Sequence, residues 1–561
     1  MTVRRFLSIF CLALAGMPAA LAQVSQPAPV QRAVEPATAD TDRDLDDPNA
    51  LRLTLDEAIK AAVRQNLGVQ LERFDYTMSS ESLRGSYGVF DWFTSGTIAH
   101  NDTENPVISS FQSSGSRSAV ANFGVQQTIP TGGTYRVDWS NSRVTTVGGF
   151  TLVSPAYRSG LGVNFTQPLM RNFGVDITRR GITIARNNLG ISREQFRSVL
   201  LDSVHRVEQA YLDLVYARQY VDVVKEALFL ARDQARITQI RIDVGASAPL
   251  DILQPRVQIA TTEEQLIRAV ANVRDAEDRL RALMNLPPSE WNRPIIPNER
   301  VVYTPFEVDA EQAVARAFEL RPEIKQLEHS IDIRRVEHLY ARNQVLPRVD
   351  LALDYSAAGL AGRTSPVDPI TGRPTGLRST GYTHAVRQVF ENEFPSWSVG
   401  VNLGIPVLNI GARAEARRAE LDLTRARTEE EQMRQSIAVE VRNFARAIDT
   451  ASKEIAASRT AREAAEQNLE AERKRYENGL TTNFQVLQVQ QQLSDARARE
   501  IAALVGYNKA LAAYHRAVGD LLEFRGITVD EPERATEPTL FSGYTRLRWL
   551  HYGNRQEEPK Q

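Results

Sequence analysis

The stretches GVNFTQPLMRNFG (Gly162 to Gly174) and GVNLGIPVLNIG (Gly400 to Gly411) decide the fold. Each opens Gly-Val-Asn, sets a proline four positions after the asparagine and closes on a glycine. Upstream, EAIKAAVRQNLGVQ (Glu57 to Gln70) aligns with QAVARAFELRPEIK (Gln312 to Lys325), apolar position over apolar position. Downstream, RIDVGASAPLDILQ (Arg241 to Gln254) aligns with RYENGLTTNFQVLQ (Arg475 to Gln488), matching at Arg, Gly, Leu and Gln. Three matches in the same order mark an internal duplication.

The residues around each motif alternate with a period of two. In RVDLALDYS, Val349, Leu351, Leu353 and Tyr355 alternate with Arg348, Asp350, Ala352 and Asp354; in SVGVNLGIPV, Val399, Val401, Leu403, Ile405 and Val407 alternate with small or polar residues. Tyr135, Val137 and Trp139 alternate with Arg136 and Asp138 in TYRVDWS, and GLGVNFTQPL alternates through Leu161, Val163 and Phe165. Such strands have one apolar face. They fit either a soluble sandwich or a barrel with lipid outside and water within.

The segments that follow are helical and very long. From Gly181 to about Asp243 no proline interrupts the chain, and Leu200, Val204, Val207, Tyr211, Leu214, Val221, Leu228, Ala231 and Ala235 keep spacings of three, four or seven. Met433, Ile437, Val441, Phe444, Ile448, Ala451 and Ile455 repeat the pattern. These are coiled-coil seams, and a rod of this length needs partners along its whole stripe.

Composition narrows the class. The 561 residues are 42% apolar and 24% charged, with net charge −2 and mean hydropathy −0.33, which fits neither a polytopic helical membrane protein nor a disordered chain. No basic run points to nucleic acid. Arg4 and Arg5 precede the apolar run FLSIFCLALAG, and Ala20 and Ala22 stand at minus three and minus one, so residues 1–22 read as a signal peptide. The sole cysteine, Cys11, lies inside it without a lipobox, so the mature chain is expected to carry no disulfide, thiolate site or lipid anchor. Residues 23–50 read as a flexible leader, 51–298 as the first repeat, 299–526 as the second and 527–561 as a tail. Thr54 with Glu57 forms a capping-box pattern at the start of the first repeat.

The LTLDEAI opening, the motifs around Pro168 and Pro406, and the two turns at Gly245 and Gly479 together resemble the TolC-like outer-membrane efflux proteins, over about Leu51 to Leu522. The resemblance implies a membrane β-barrel continued by an α-helical coiled-coil barrel. It further implies a homotrimer that shares one barrel in outer-membrane lipid and one periplasmic tunnel, and that works with a periplasmic adaptor and an inner-membrane pump. Pro168 and Pro406 then sit where the ladder stops and the descending helix begins, since proline cannot donate to the ladder.

This sequence departs from the family pattern of two strands per repeat. Between Asp91 and Leu169 four strands are expected, near 91–100, 120–129, 134–144 and 160–169, the middle pair joined by the tight turn Pro130 to Gly133. The extra hairpin either enters the barrel, giving six strands per subunit and eighteen per trimer, or folds over the mouth as a flap. The segment from Gly359 to Pro395, with His384, reads as a long extracellular loop.

In the family the gate lies at the helical tips. By resemblance Asp251 pairs with Tyr476 across hairpins, though a carboxylate near a helix N-terminus is favoured there by the dipole alone. The arginine usual in that latch is replaced by Thr481. The aspartates that ring the aperture are replaced by Gln485 and Gln488, which weakens any cation block; both equally suit solvated helix positions. The tip glycines suit a tight turn in any case.

No catalytic, cofactor or metal motif is present: H-E-x-x-H, G-x-S-x-G, the Walker loop and G-x-G-x-x-G are all missing, and His205 and His329 fall within helical stretches. The expectation is a passive exit duct for a tripartite efflux or type I secretion system, with cargo unspecified. The rivals are a general diffusion porin, which would lack the rods, and a periplasmic structural coiled coil, which would lack the lipid-facing strands.

Overall fold

A computed structural model describes residues 49–109, 112–148, 151–299, 301–364, 370 and 376–528. The expected signal peptide, most of the leader and nearly all of the tail lie outside these residues.

The chain opens with β1 (Leu51–Leu53), α1 (Leu55–Gln65) and α2 (Leu67–Ser86). Thr54 starts α1 through a reciprocal cap: its Oγ1 accepts from Glu57 N at 3.3 Å, and Glu57 Oε2 accepts from Thr54 N at 2.9 Å. Four long strands follow, β2 (Phe93–Glu104), β3 (Gly115–Thr128), β4 (Thr134–Val147) and β5 (Val153–Pro168). The chain then descends in the 64-residue α3 (Arg180–Asp243) and returns in α4 (Leu253–Met284). At 1.5 Å per residue α3 is roughly 95 Å long.

The second repeat retraces this path. β6 (Ile295–Pro297) pairs in parallel with β1 and leads to α5 (Ala310–Leu320), α6 (Pro322–Gln344), β7 (Arg348–Thr364), the two-residue β8 (Arg378–Ser379), α7 (Tyr382–Phe390) and β9 (Phe394–Gly404). A 68-residue α8 (Ile410–Glu477) and α9 (Asn483–Val518) form the second hairpin. The duplication extends to backbone detail. Ala58, Ile59 and Ala62 are buried, as are their counterparts Ala313, Val314 and Ala317. The caps between the paired short helices, Asn66 and Arg321, take φ/ψ of −60/125° and −64/123°.

One antiparallel sheet contains all the long strands in the order β2-β3-β4-β5-β7-β9, with β8 extending the far edge of β7. The extra hairpin β3–β4 is therefore part of the sheet, bonded along its whole length to β2 and β5. Register sorts the side chains into rows. Val125, Val137, Val163, Tyr355 and Trp397 stand opposite one another, while the next row reads Gln126, Arg136, Asn164, Asp354 and Ser398. Asp354 accepts from Asn164 Nδ2 at 2.5 Å and from Ser398 Oγ at 3.1 Å, so the polar row is stitched by side chains. Toward the rods the apolar face is largely exposed in the single chain, Trp397 being 74% exposed.

The rods bury the seams read from sequence. Leu200, Val204, Val207, Tyr211, Leu214, Val221 and Leu228 belong to one core with α1 and α4, Ala231 is buried further down the same rod, and Ile437, Val441, Ile448, Ala451 and Ile455 belong to the second core with α5 and α9. Just past α9, Arg525 forms an ion pair with Glu208 of α3, a carboxylate only 1% exposed, which ties the end of the second repeat to the first.

His205 on α3 is a titratable group left inside the bundle. Burial, reinforced by the Arg516 guanidinium, outweighs the opposing pull of Asp202 and depresses its pKa to about 4. Between that value and 6.5 the unfolded chain binds the extra proton and the folded one does not, so stability is full above 6.5 and is lost as pH falls toward 4. A His205→Gln variant is expected to lose less of its thermal midpoint than the parent between pH 7 and 4.5; parallel curves would exclude this residue as the cause.

Candidate functional site

Two regions carry the residues singled out by sequence, the strand-to-helix junctions and the helical tips. At the first junction Pro168 is the last residue of β5, paired with Asp350, and Leu169 N still donates to Val349 O at 2.8 Å. In the second repeat β9 ends at Gly404, Pro406 follows two residues later, and α8 starts at Ile410. Each junction turns on an asparagine with positive φ, Asn172 at 64° and Asn409 at 47°. A short amide side chain tolerates this left-handed geometry. Both asparagines hold the end of α6: Gln344 Nε2 donates to Asn172 Oδ1 at 2.7 Å, and Asn409 Nδ2 donates to Val345 O at 2.8 Å. Neither asparagine is singled out by the sequence pattern, although they sit at nearly matching places in the stretches Gly162 to Gly174 and Gly400 to Gly411.

At the tips the hairpins turn through the same geometry. Gly245 and Gly479 both have φ of 73°, a conformation that penalises any Cβ. Ala246 N donates to Arg241 O at 2.7 Å and Leu480 N to Arg475 O at 2.9 Å, closing the helix ends with one motif. Asp251 bends back to its own turn, Oδ2 accepting from Ala248 N at 3.1 Å. Thr481 donates from Oγ1 to Glu472 Oε1 at 2.5 Å, and Glu472 also pairs with Arg475. Gln485 and Gln488 are exposed three residues apart on α9.

Next to the two turns, Arg241 joins one hairpin to the other. Its guanidinium lies 4.1 Å from the centre of the Tyr476 ring, and Nη2 donates to Tyr476 O at 2.8 Å and to Glu477 O at 3.1 Å. The cation thus caps the C-terminal carbonyls of α8, where the helix dipole is negative. Tyr476 is 6% exposed beneath it. Within the described residues of one chain, Tyr476 and Asp251 are not brought into hydrogen-bond contact. Gln234 Nε2 to Asn483 Oδ1 at 2.7 Å and Arg497 to Glu226 at 2.5 Å add further ties between the hairpins. Sequence reading aligned Arg241 with Arg475 but assigned it no role; its partner lies 235 residues away.

Among the described residues no group of His, Cys, Asp and Glu is arranged to hold a metal ion, and no helix is long and apolar enough to cross a membrane. His329 Nδ1 meets Asn187 Oδ1 at 3.1 Å in a helix contact, and His384 Nδ1 meets Arg387 Nη2 at 2.9 Å.

A sheet with one apolar and one stitched polar face, continued by one antiparallel helical hairpin per repeat, defines a strand-and-rod architecture. The model of the outer membrane efflux protein family matches residues 131–286 and 313–520, one block per repeat, and the chain belongs to that family. It is 22% identical over 334 residues to the outer membrane efflux protein BepC of Brucella suis, covering 59% of this chain and 66% of that protein. It is 24% identical over 299 residues to the alkaline protease secretion protein AprF of Pseudomonas aeruginosa, covering 50% of this chain and 53% of that one. The chain thus spans just under two thirds and about half of these curated relatives. The Campylobacter jejuni CmeC outer membrane channel superposes with a TM-score of 0.59 at 15% identity, covering 85% of this chain and 87% of that chain. The fold is that of the TolC-like channels.

Proposed function

We propose that three copies of this chain close into one outer-membrane exit duct, a passive conduit of a tripartite efflux or type I secretion system. The observation that carries the reading is the open sheet. Among the described residues β2 and β9 each leave one edge unpaired, their lengths of 12 and 11 residues differ by only one, and they run antiparallel, so the edge of one copy fits the opposite edge of the next. Long unpaired edges invite another chain, and closure removes them. Six long strands per chain give eighteen in a threefold assembly. The apolar rows then face outer-membrane lipid and the row through Asp354 faces water.

The rods continue the barrel into the periplasm, where a periplasmic adaptor docks at the Gly245 and Gly479 tips and an inner-membrane pump supplies the energy. Opening is a shift between closed and splayed tips, so the adaptor must bind the splayed form more tightly. Uncharged Gln485 and Gln488 would leave the aperture without a cation-binding ring. The likeness to BepC, an outer membrane efflux protein, and to AprF, an alkaline protease secretion protein, supports efflux or protein secretion as the class of task. Single-particle imaging of the protein extracted from outer membranes is expected to show threefold symmetry, one eighteen-stranded barrel and one long tapered tunnel. A monomer, or three separate barrels, would overturn the reading.

A further inference from the structure

The apolar face of the sheet does not run unchanged to the ends remote from the rods. On the same face as Ile98, Ala119, Ala121 and Trp139, the strands continue into His100, Asn141, Arg143 and Tyr157. At this boundary α7 lies against the sheet from the apolar side, hence outside the barrel. Phe390 meets Trp139 with ring centres 5.4 Å apart, Tyr382 Oη donates to Asn141 Oδ1 at 2.6 Å, and Leu360 N donates to Gln388 Oε1 at 2.8 Å. The seat is built for it: a Cβ on Gly359 would stand 1.9 Å from Ala385 O.

Beside the start of α7 an open cleft of about 460 Å³ has Ile98, Ala119 and Ala121 in its floor and His100, Arg143 and Tyr382 at its rim. The Arg143 guanidinium lies 5.8 Å from the Tyr157 ring, and among the described residues no carboxylate forms an ion pair with it. The cleft is continuous with the apolar rows, and its cation stands where they end. That order, apolar floor and then charge, is the order of a lipid from acyl chain to phosphate.

We propose that this cleft binds an outer-leaflet lipid with a phosphate-bearing headgroup, the phosphate on Arg143 beside His100 and Tyr382 and the upper acyl chain over Ile98, Ala119 and Ala121. The inference rests on the reading of the sheet as lipid-facing, and the test separates the two. In the mature chain, expected to hold no other cysteine, Thr383→Cys on the exposed start of α7 and, separately, Val137→Cys in the apolar rows are labelled with bimane. The labelled protein is reconstituted in vesicles of phosphatidylcholine with brominated phosphatidylglycerol or brominated phosphatidylcholine. Quenching at 383 is expected to favour phosphatidylglycerol, with a preference that falls about fivefold in Arg143→Ala and survives in Arg143→Lys. Equal quenching by the two lipids, a preference unmoved by Arg143→Ala, or a label shielded from both by a second copy would overturn the inference while quenching at 137 stands. Loss of quenching at 137 would overturn the lipid-facing sheet as well.

Discussion

Arg241→Ala is expected to turn the closed duct into a leaking one. The variant loses a cation over an aromatic face, about 0.5–2 kcal/mol, and charge-assisted bonds to two carbonyls, about 1.5–3 kcal/mol for such a bond. These overlap in one side chain, so about 2 kcal/mol per chain is a fair sum, roughly a thirtyfold shift toward open tips for each. Three chains opening together multiply the effect. Planar-bilayer conductance without adaptor should rise well above the parent, and cells should become permeable to bulky antibiotics. Arg241→Lys keeps the charge but not the planar fork, and should fall between. Tyr476 separates two latches. If the ring under Arg241 holds the tip, Tyr476→Phe stays sealed and Tyr476→Ala leaks. If the phenol hydroxyl holds Asp251 across hairpins in the assembly, Tyr476→Phe leaks too. An Arg241→Ala channel as tight as the parent would remove this residue from the gate.

The second large effect concerns stability. Arg525→Ala leaves Glu208 buried without its partner, and an uncompensated buried charge costs about 3–5 kcal/mol. The pH dependence has a definite sign. Burial holds Glu208 above the ordinary carboxylate range despite the opposing pull of Arg525. Over the window between the ordinary and the raised value the folded state holds the proton and the unfolded state does not, so stability falls as pH rises through it. Without Arg525 the window widens upward. The variant should therefore be most impaired at neutral pH and recover part of its thermal midpoint toward pH 5. Adding Glu208→Gln should recover much of the loss at pH 7; a double variant as weak as Arg525→Ala would place the cost in lost packing of the arginine stem instead.

What could be read from the sequence was what local periodicity writes. The seam from Leu200 to Ala231, the cap at Thr54 and the alternation from Val349 to Tyr355 each repeat a spacing set by a single element, and each appears in the structure at its place. The four strands before Leu169 were legible for the same reason, although each is bounded by pairing with its neighbours: β3 begins at Gly115 because Glu104 and Val147 flank it. Nothing local announced α7. It lies in a segment rich in Pro, Gly and Thr, has no side-chain cap at Gly381, and owes its place to Gly359 and Trp139 on strands far away in sequence. The same holds at the tips, where the repeat puts an arginine at both 241 and 475. Only the first crosses to the other hairpin; the second turns back onto Glu472.

The added β3–β4 hairpin has a consequence for how such a protein can change over generations. A single inserted strand would reverse the direction in which every later segment points, sending α3 outward. A hairpin leaves and re-enters the ladder at adjacent places, so β5 still descends and its helix still enters below. Barrel circumference in this architecture can therefore be enlarged only in whole up-and-down pairs. Because the gain is made in one repeat alone, the rods keep their twofold likeness while the sheet above them does not. The sheet and the helical tips are thus free to diverge at separate rates.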